Sequence, residues 1–292
     1  MSVSRNPHQR YMLMLPIVLL TLIIFGYPFV RAISLGFFDV SFGDSNREFV
    51  GLDNFSALVA DPTFWSVAGR TLVWTVANLV VQLSVPVGFA ILLNHRLRGV
   101  NVARALVLLP WIVPTVPVAV TMRWMLLPRI GIIAEMVRAL GFGDIHFFGN
   151  SMTAMPALVI INSWKFIPFG TLMILSALQT IPTDVYEAAK VDGCGGWNRF
   201  RFITFPYIGS MIWFVGFLAF AWNFNTFDLI WLSTAGGPGS ATETLPVTIY
   251  RTAFRTFRLG EAAAMASFIA VILVILGYFY FRSFSPKEDF SQ

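Results

Sequence analysis

The stretch Ile181-Pro-Thr-Asp-Val-Tyr-Glu-Ala-Ala-Lys-Val-Asp-Gly-Cys-Gly-Gly-Trp-Asn-Arg-Phe-Arg-Phe-Ile-Thr-Phe-Pro-Tyr207 sets the architecture, because it is too polar for lipid and is bounded by two apolar runs. Pro182 suits the first turn of a helix, where its missing N–H is not needed, and Asp184 favours the positive end of that helix's dipole. Val185, Ala188, Ala189 and Val191 give the helix a small apolar surface. Gly193 can take the left-handed conformation that ends a helix, and Gly195-Gly196 prolongs the break. Trp197, Phe200 and Ile203 recur every third residue, enough for an apolar stripe on a second short helix, which Pro206 is expected to end. Such a helix–break–helix has two readings. It is a connector packing its aromatic residues on its own bundle, or a docking element whose alanines admit a partner closely while Glu187 offers it a charge. The residues alone leave both open.

Outward from this segment, apolar runs dominate. Of 292 residues, 57% are hydrophobic and 12% charged, against about 45–50% and about 25% in soluble domains. That composition excludes an ordinary soluble enzyme, a disordered chain and a nucleic-acid-binding module. A helix crossing the ~30 Å hydrocarbon core needs about 20 predominantly apolar residues. Six stretches qualify, at about Tyr11 to Ile33, Trp65 to Leu93, Ala103 to Leu127, Met155 to Leu178, Tyr207 to Leu232 and Ala262 to Phe281. They lack the two-residue alternation of barrel strands, so the fold class is an all-α polytopic membrane protein with six transmembrane helices.

Basic residues orient the chain. Arg5 and Arg10 precede the first span, and Arg96, Arg98 and Arg104 lie between the second and third. Lys190, Arg199 and Arg201 lie between the fourth and fifth, and Arg282 and Lys287 follow the last. The positive-inside bias puts all of these, and both termini, in the cytoplasm. Asp39, Asp44, Glu48, Asp53 and Asp61 occupy the opposite side. Arg251, Arg255 and Arg258 disagree with the pattern; their spacing puts them on one face of a short interfacial helix, as a solvated or headgroup-facing stripe in preference to a substrate contact. The expected organisation is 1–64 for the N-terminus, first helix and first outer loop, 65–282 for the core membrane domain with its loop 181–206, and 283–292 for a cytoplasmic tail.

Several function classes drop out. The scattered basic residues point to the lipid as partner and not to nucleic acid. Cys194 is the single cysteine, which excludes an intramolecular disulfide and a cysteine metal cage. Lys165, Lys190 and Lys287 are the only lysines and none stands in a GxxxxGK[ST] run, so the chain has no P-loop for ATP. His8, His95 and His146 lie far apart without an HExxH, and neither a metal site nor a catalytic residue is expected. A secondary transporter would show paired halves with matching broken helices, and no internal repeat is visible. The basic start is followed by a long apolar run without a small-residue cleavage site, which reads as a retained helix.

Polar residues within spans are costly and face a bundle interior or a wet cavity. The substrate-path candidates are Asn78 and Gln82 in span two, Asn162 and Lys165 in span four, and Asn223, Asn225 and Asp228 in span five. Trp164 and Trp222 beside them could stack on a sugar's C–H face. The competing reading is that the amides tie helices together, at about 0.6–2 kcal/mol each. Lys165 raises the alternative of an anionic substrate, such as a phosphorylated or sulfonated glycoside; the structural readings are a pairing with Asp228, which would neutralise both, or snorkelling of the lysine. Pro110, Pro114 and Pro117 predict a kinked or unwound span three.

Glu187-Ala188-Ala189, three residues, Gly193, nine residues and Ile203-Thr204-Phe205-Pro206 resemble the EAA loop of binding-protein-dependent ABC importers. Phe205 replaces the usual Leu and Cys194 stands where Ala often follows Asp-Gly, both keeping an apolar or small side chain. Gly51-Leu52-Asp53-Asn54-Phe55, Leu109-Pro110, Trp164-Lys165 and Gly236-Gly237-Pro238 are similar to carbohydrate importer permeases of the maltose and glycerol-phosphate type, in the position of the first permease of a heteromeric pair. The resemblance implies a type I importer permease fold in the inner membrane. It implies a second six-span permease, a dimer of ATPase subunits that bind ATP and Mg, and a periplasmic or lipid-anchored binding protein. No cofactor is expected on this chain. The family's ATPase-coupling role carries over onto Glu187, Ala188, Ala189 and Gly193, with Ile203 and Pro206 as supports.

Overall fold

The computed structural model describes residues 7–284 except 42, 44–46, 96 and 97. Arg5, Asp44, Arg96 and Lys287, which the charge pattern uses, lie outside the described residues, as does the expected tail beyond residue 284. Helix α1 (Pro7–Thr21) runs through a wide turn, Leu22–Gly26, into α2 (Tyr27–Leu35). Strands β1 (Phe38–Asp39) and β2 (Glu48–Phe49) pair antiparallel with Phe38 opposite Phe49, a small departure from an all-α chain. Then follow α3 (Asp53–Ala60), α4 (Pro62–Asn94), α5 (Val100–Ile112), α6 (Thr115–Met125), α7 (Ile132–Val137) and α8 (Ser151–Leu178). The remainder is α9 (Thr183–Val191), α10 (Gly196–Arg199), α11 (Phe205–Phe224), α12 (Asp228–Thr234), α13 (Leu245–Phe254) and α14 (Leu259–Phe284).

Among the described residues five helical segments are long and apolar enough to cross a membrane: Met14–Leu35, Pro62–Asn94, Ser151–Leu178, Gly196–Phe224 and Leu259–Arg282. The sixth expected span is not one rod. It is α5 and α6, bent by 93°. Of its three prolines only Pro114 makes the break. Its ring pushes Val113 into extended backbone (φ −70°, ψ 128°), and Pro114 itself precedes the first turn of α6. Pro110 stays inside α5, and Pro117 falls in the first turn of α6, where no N–H is needed.

Span five also differs from expectation. It begins at Gly196, not Tyr207, and ends at Phe224, so Asp228 lies in the separate α12. Pro206 does not end the preceding helix. The wide turn Phe200–Thr204 just before it absorbs the lost hydrogen bond, and the helix continues.

The chain divides into two compact units. One comprises the described residues up to Trp65 with Thr248–Ile272. Here the Asn54 side-chain amide donates to the carbonyls of Gly36 (2.9 Å) and Phe38 (3.0 Å), and the Leu259 N–H donates to Val40 O at 2.9 Å. Gly260 is required by close approach, because a β-carbon there would collide with the Phe38 carbonyl oxygen. The three arginines do not share a helix face. Only Arg251 lies within α13, whereas Arg258 bridges to Ser41 through the backbone and pairs with Glu261.

The other unit holds Ser66–Val247 and the described residues from Leu273 onward. It has two apolar cores. Trp74, Leu158, Ile161, Leu229, Ile230 and Val247 form one. Ala90, Phe166, Ile174, Leu178, Ile208 and Val215 belong to the other. Along α4 the order is Trp74, Asn78, Gln82, Ala90, and along α8 it is Leu158, Asn162, Phe166, so a polar layer lies between the cores.

Candidate functional site: an elbow and a polar cavity

Helix α9 ends in a left-handed cap. Gly193 has φ +71°, its N–H donates to Lys190 O (3.1 Å), and the Cys194 N–H donates to Ala189 O (2.9 Å). An L side chain in that conformation costs about 1–2 kcal/mol, which explains the glycine. The inner side of α9 is fixed. Ala189 is buried, the Tyr186 and Thr204 hydroxyls hydrogen-bond at 3.1 Å, and the Arg199 guanidinium lies 6.0 Å from the Tyr186 ring centroid. The outer side is open. Glu187 and Ala188 are exposed, and Val191 and Trp197 are 88% and 69% exposed. The aromatic residues therefore do not simply pack on the chain's own bundle, since Trp197 and Phe202 face outward while Phe200 and Ile203 are half-buried. Pro206 is exposed on the continuing helix.

The polar layer is a closed set of amides. The Asn162 side-chain amide donates to Asn78 Oδ1 (2.8 Å) and Asn223 Oδ1 (2.7 Å). Asn223 Nδ2 donates to Gln82 Oε1 (2.8 Å) and the Ala219 carbonyl (2.7 Å). Gln82 Nε2 and Ser163 Oγ each donate to Asn78 Oδ1 at 3.2 Å. The Trp74 indole N–H donates to the Asn223 carbonyl at 3.0 Å. Asn78, Gln82 and Asn223 are buried, so three helices are joined through satisfied groups.

Beside this layer lies a cavity of about 540 Å³. Asn162, Lys165, Trp222, Asn223, Asn225 and Asp228 all line it. Asn78 and Gln82 do not, being enclosed behind Asn162 and Asn223. Trp164 is a correction to the expected path. It lines a separate, mostly apolar cavity of about 520 Å³ with Met122, Ile133, Phe147 and Ile160. The pairing of Lys165 with Asp228, one of the two structural readings of that lysine, does not form: among the described residues neither belongs to an ion pair. Both charges remain available to the cavity.

Sequence reasoning missed part of the wall. Trp111 of α5 and Phe166 line the cavity, and Phe169 packs on Trp222 with ring centroids 5.2 Å apart. Thr71 and Thr75 continue the polar stripe of α4, and Thr71 Oγ1 accepts from the Leu245 N–H at 2.9 Å. The signal for these threonines was present, because Thr71, Thr75, Asn78 and Gln82 recur at steps of four, three and four.

A family model described as binding-protein-dependent transport system inner membrane component matches residues 84–289. The sn-glycerol-3-phosphate transport system permease protein UgpA of Escherichia coli O157:H7 is 35% identical over 98% of this chain and 97% of its own. The trehalose/maltose transport system permease protein MalF of Thermococcus litoralis is 31% identical over 94% of this chain and 93% of its own. A crystal structure of a bacterial ABC transporter involved in import of the acidic polysaccharide alginate shares the fold, with a TM-score of 0.82, 23% identity and 94% coverage of each chain. The family match runs through the elbow and the spans on both sides of it, and the relatives align over nearly their whole lengths. On these grounds the chain belongs to the binding-protein-dependent transport system inner membrane components, the permeases of ABC importers.

Proposed function

We propose that this chain is one of two six-span permease subunits whose joint pore carries a sugar or glycoside inward. A dimer of ATPase subunits, which bind the ATP and Mg, receives the elbows of the two permeases. A periplasmic or lipid-anchored protein delivers the substrate, and both termini face the cytoplasm of an inner membrane. The observation that carries this reading is the two-sidedness of α9. Its inner side is fastened by Ala189, Tyr186 and Thr204 while Glu187 and Ala188 are presented outward. A short helix held this way transmits displacement, because packed interiors compress little. Closing of the ATPase dimer moves the groove that grips α9, and the attached spans rock between two states. ATP acts through its different affinity for those states.

The cavity supplies the substrate path. Asn162 and Asn225 offer amides, and Trp111 and Trp222 offer ring faces for sugar C–H groups. Lys165 and Asp228 bring one charge of each sign, which favours a neutral polyhydroxyl substrate over an anionic one. In proteoliposomes holding the complete complex, uptake should require both ATP and the binding protein; uptake by this chain alone contradicts the proposal. In the same assay Lys165→Gln should lower uptake of neutral and anionic glycosides to a similar extent, within a few-fold. A charge-assisted hydrogen bond is worth about 1.5–3 kcal/mol, so a selective loss of about tenfold or more for the anionic glycoside would establish charge recognition instead.

A further inference from the structure

We infer that the cavity behind the coupling helix binds a phosphate group. This space, about 340 Å³, lies where the ends of α4 and α8 meet α9 and the start of α10. His95, Lys190 and Arg199 line it with Tyr186, Asn94 and Gly196, and among the described residues no carboxylate does. Among the described residues none of the three basic side chains forms an ion pair. Asp184, Glu187 and Asp192 of the same loop are exposed and do not line it. Arg199 is positioned by the Tyr186 ring, which is itself fixed through Thr204, and neither neutralises it. The like charges of Lys190 and Arg199 face one space and repel until an anion enters.

The geometry favours phosphate over a simple carboxylate. Arg199 offers a planar fork of donors and Lys190 a compact point charge. Gly196 opens the continuous Gly196–Phe224 helix, whose first-turn N–H groups have no acceptor within the helix. A β-carbon at Gly196 would meet nothing within 4 Å, so the space beside that residue is open. The phosphate can come from an anionic phospholipid headgroup or from a soluble phosphate compound. Because Tyr186 and Lys190 of α9 form part of the wall, filling the cavity stiffens the elbow. That consequence rests on the coupling role proposed above, whereas the binding itself does not.

The test uses thermal unfolding of the complete complex. Inorganic phosphate at millimolar concentration, against chloride of equal ionic strength, should raise the midpoint by several degrees if the source is soluble. Nanodiscs of phosphatidylglycerol against phosphatidylcholine should raise it if the source is lipid. Either shift should vanish in the Lys190→Gln/Arg199→Gln double variant and persist in Arg282→Gln, which removes a cation elsewhere. Gly196→Asp, compatible with a helix start but placing a carboxylate at the cavity, should also abolish it and decides the matter should the double variant fail to fold. No shift with either probe, or equal shifts in wild type and variants, would overturn the site. Lost binding with unchanged coupled ATP hydrolysis would overturn the stiffening alone.

Discussion

Reversing the charge at Glu187 should leave the chain inserted in the membrane at its normal level and cut substrate-stimulated ATP hydrolysis of the assembled complex by about thirty-fold or more. Glu187 is exposed and, among the described residues, has no hydrogen-bond or ion-pair partner, so its carboxylate contributes nothing to this chain's own fold. A loss therefore reports on something outside the chain. Disrupting one partner of a buried charge pair at an interface costs about 2–5 kcal/mol, and 1.4 kcal/mol is tenfold. Glu187→Lys should accordingly release the ATPase subunits on purification, while Glu187→Gln should weaken them less. Normal coupled hydrolysis in Glu187→Lys would count heavily against the coupling role of α9. Gly193, just past the end of α9, is a second handle on the same helix. Gly193→Val, whose β-branched side chain strains the left-handed backbone found there, should likewise insert normally and lose substrate-stimulated hydrolysis.

The second large effect belongs to Asn223. Asn223→Ala removes the donor to Gln82 and the acceptor for Asn162 together, leaving two amides short of partners. A buried unsatisfied group costs about 1–3 kcal/mol, although interhelical hydrogen bonds in membranes average nearer 0.6 kcal/mol. A net loss of about 2 kcal/mol is expected, read as a fall of several degrees in the unfolding midpoint of the detergent-purified complex. Asn162→Ala should cost less, because Asn162 is only half-buried and borders the cavity. An unchanged midpoint in Asn223→Ala with lost uptake would make Asn223 a substrate contact and not a structural tie.

The spans were legible in the sequence because lipid imposes a length and an apolar composition. Their breaks were not equally legible. The proline cluster announced a bend in span three, yet only Pro114 makes it, since Pro110 is tolerated inside α5 and Pro117 falls where no donor is needed. The end of span five at Phe224 was hidden, because Asn225, Thr226 and Phe227 include neither proline nor glycine and the apolar run resumes in α12. Trp164 was misplaced for a reason the sequence does contain. Residues one apart on a helix point about 100° away from each other, so Asn162, Lys165, Phe166 and Phe169 share a side that Trp164 does not. Helix α9 and its glycine stop were legible because their signals are local, although the helix running through Pro206 depends on a wide turn that no residue pattern announced.

Cysteine crosslinking from α9 shows whether an ATPase subunit grips that helix. With Cys194→Ser as background, Ala188→Cys should form a covalent product with the ATPase subunit in the assembled, pumping complex, and the yield should change when ATP is added. Ala188 is exposed beside Glu187, so the thiol would project outward without disturbing α9. A complex that transports at the normal rate yet yields no such product from Ala188→Cys, or from Glu187→Cys beside it, would mean that no ATPase subunit grips α9.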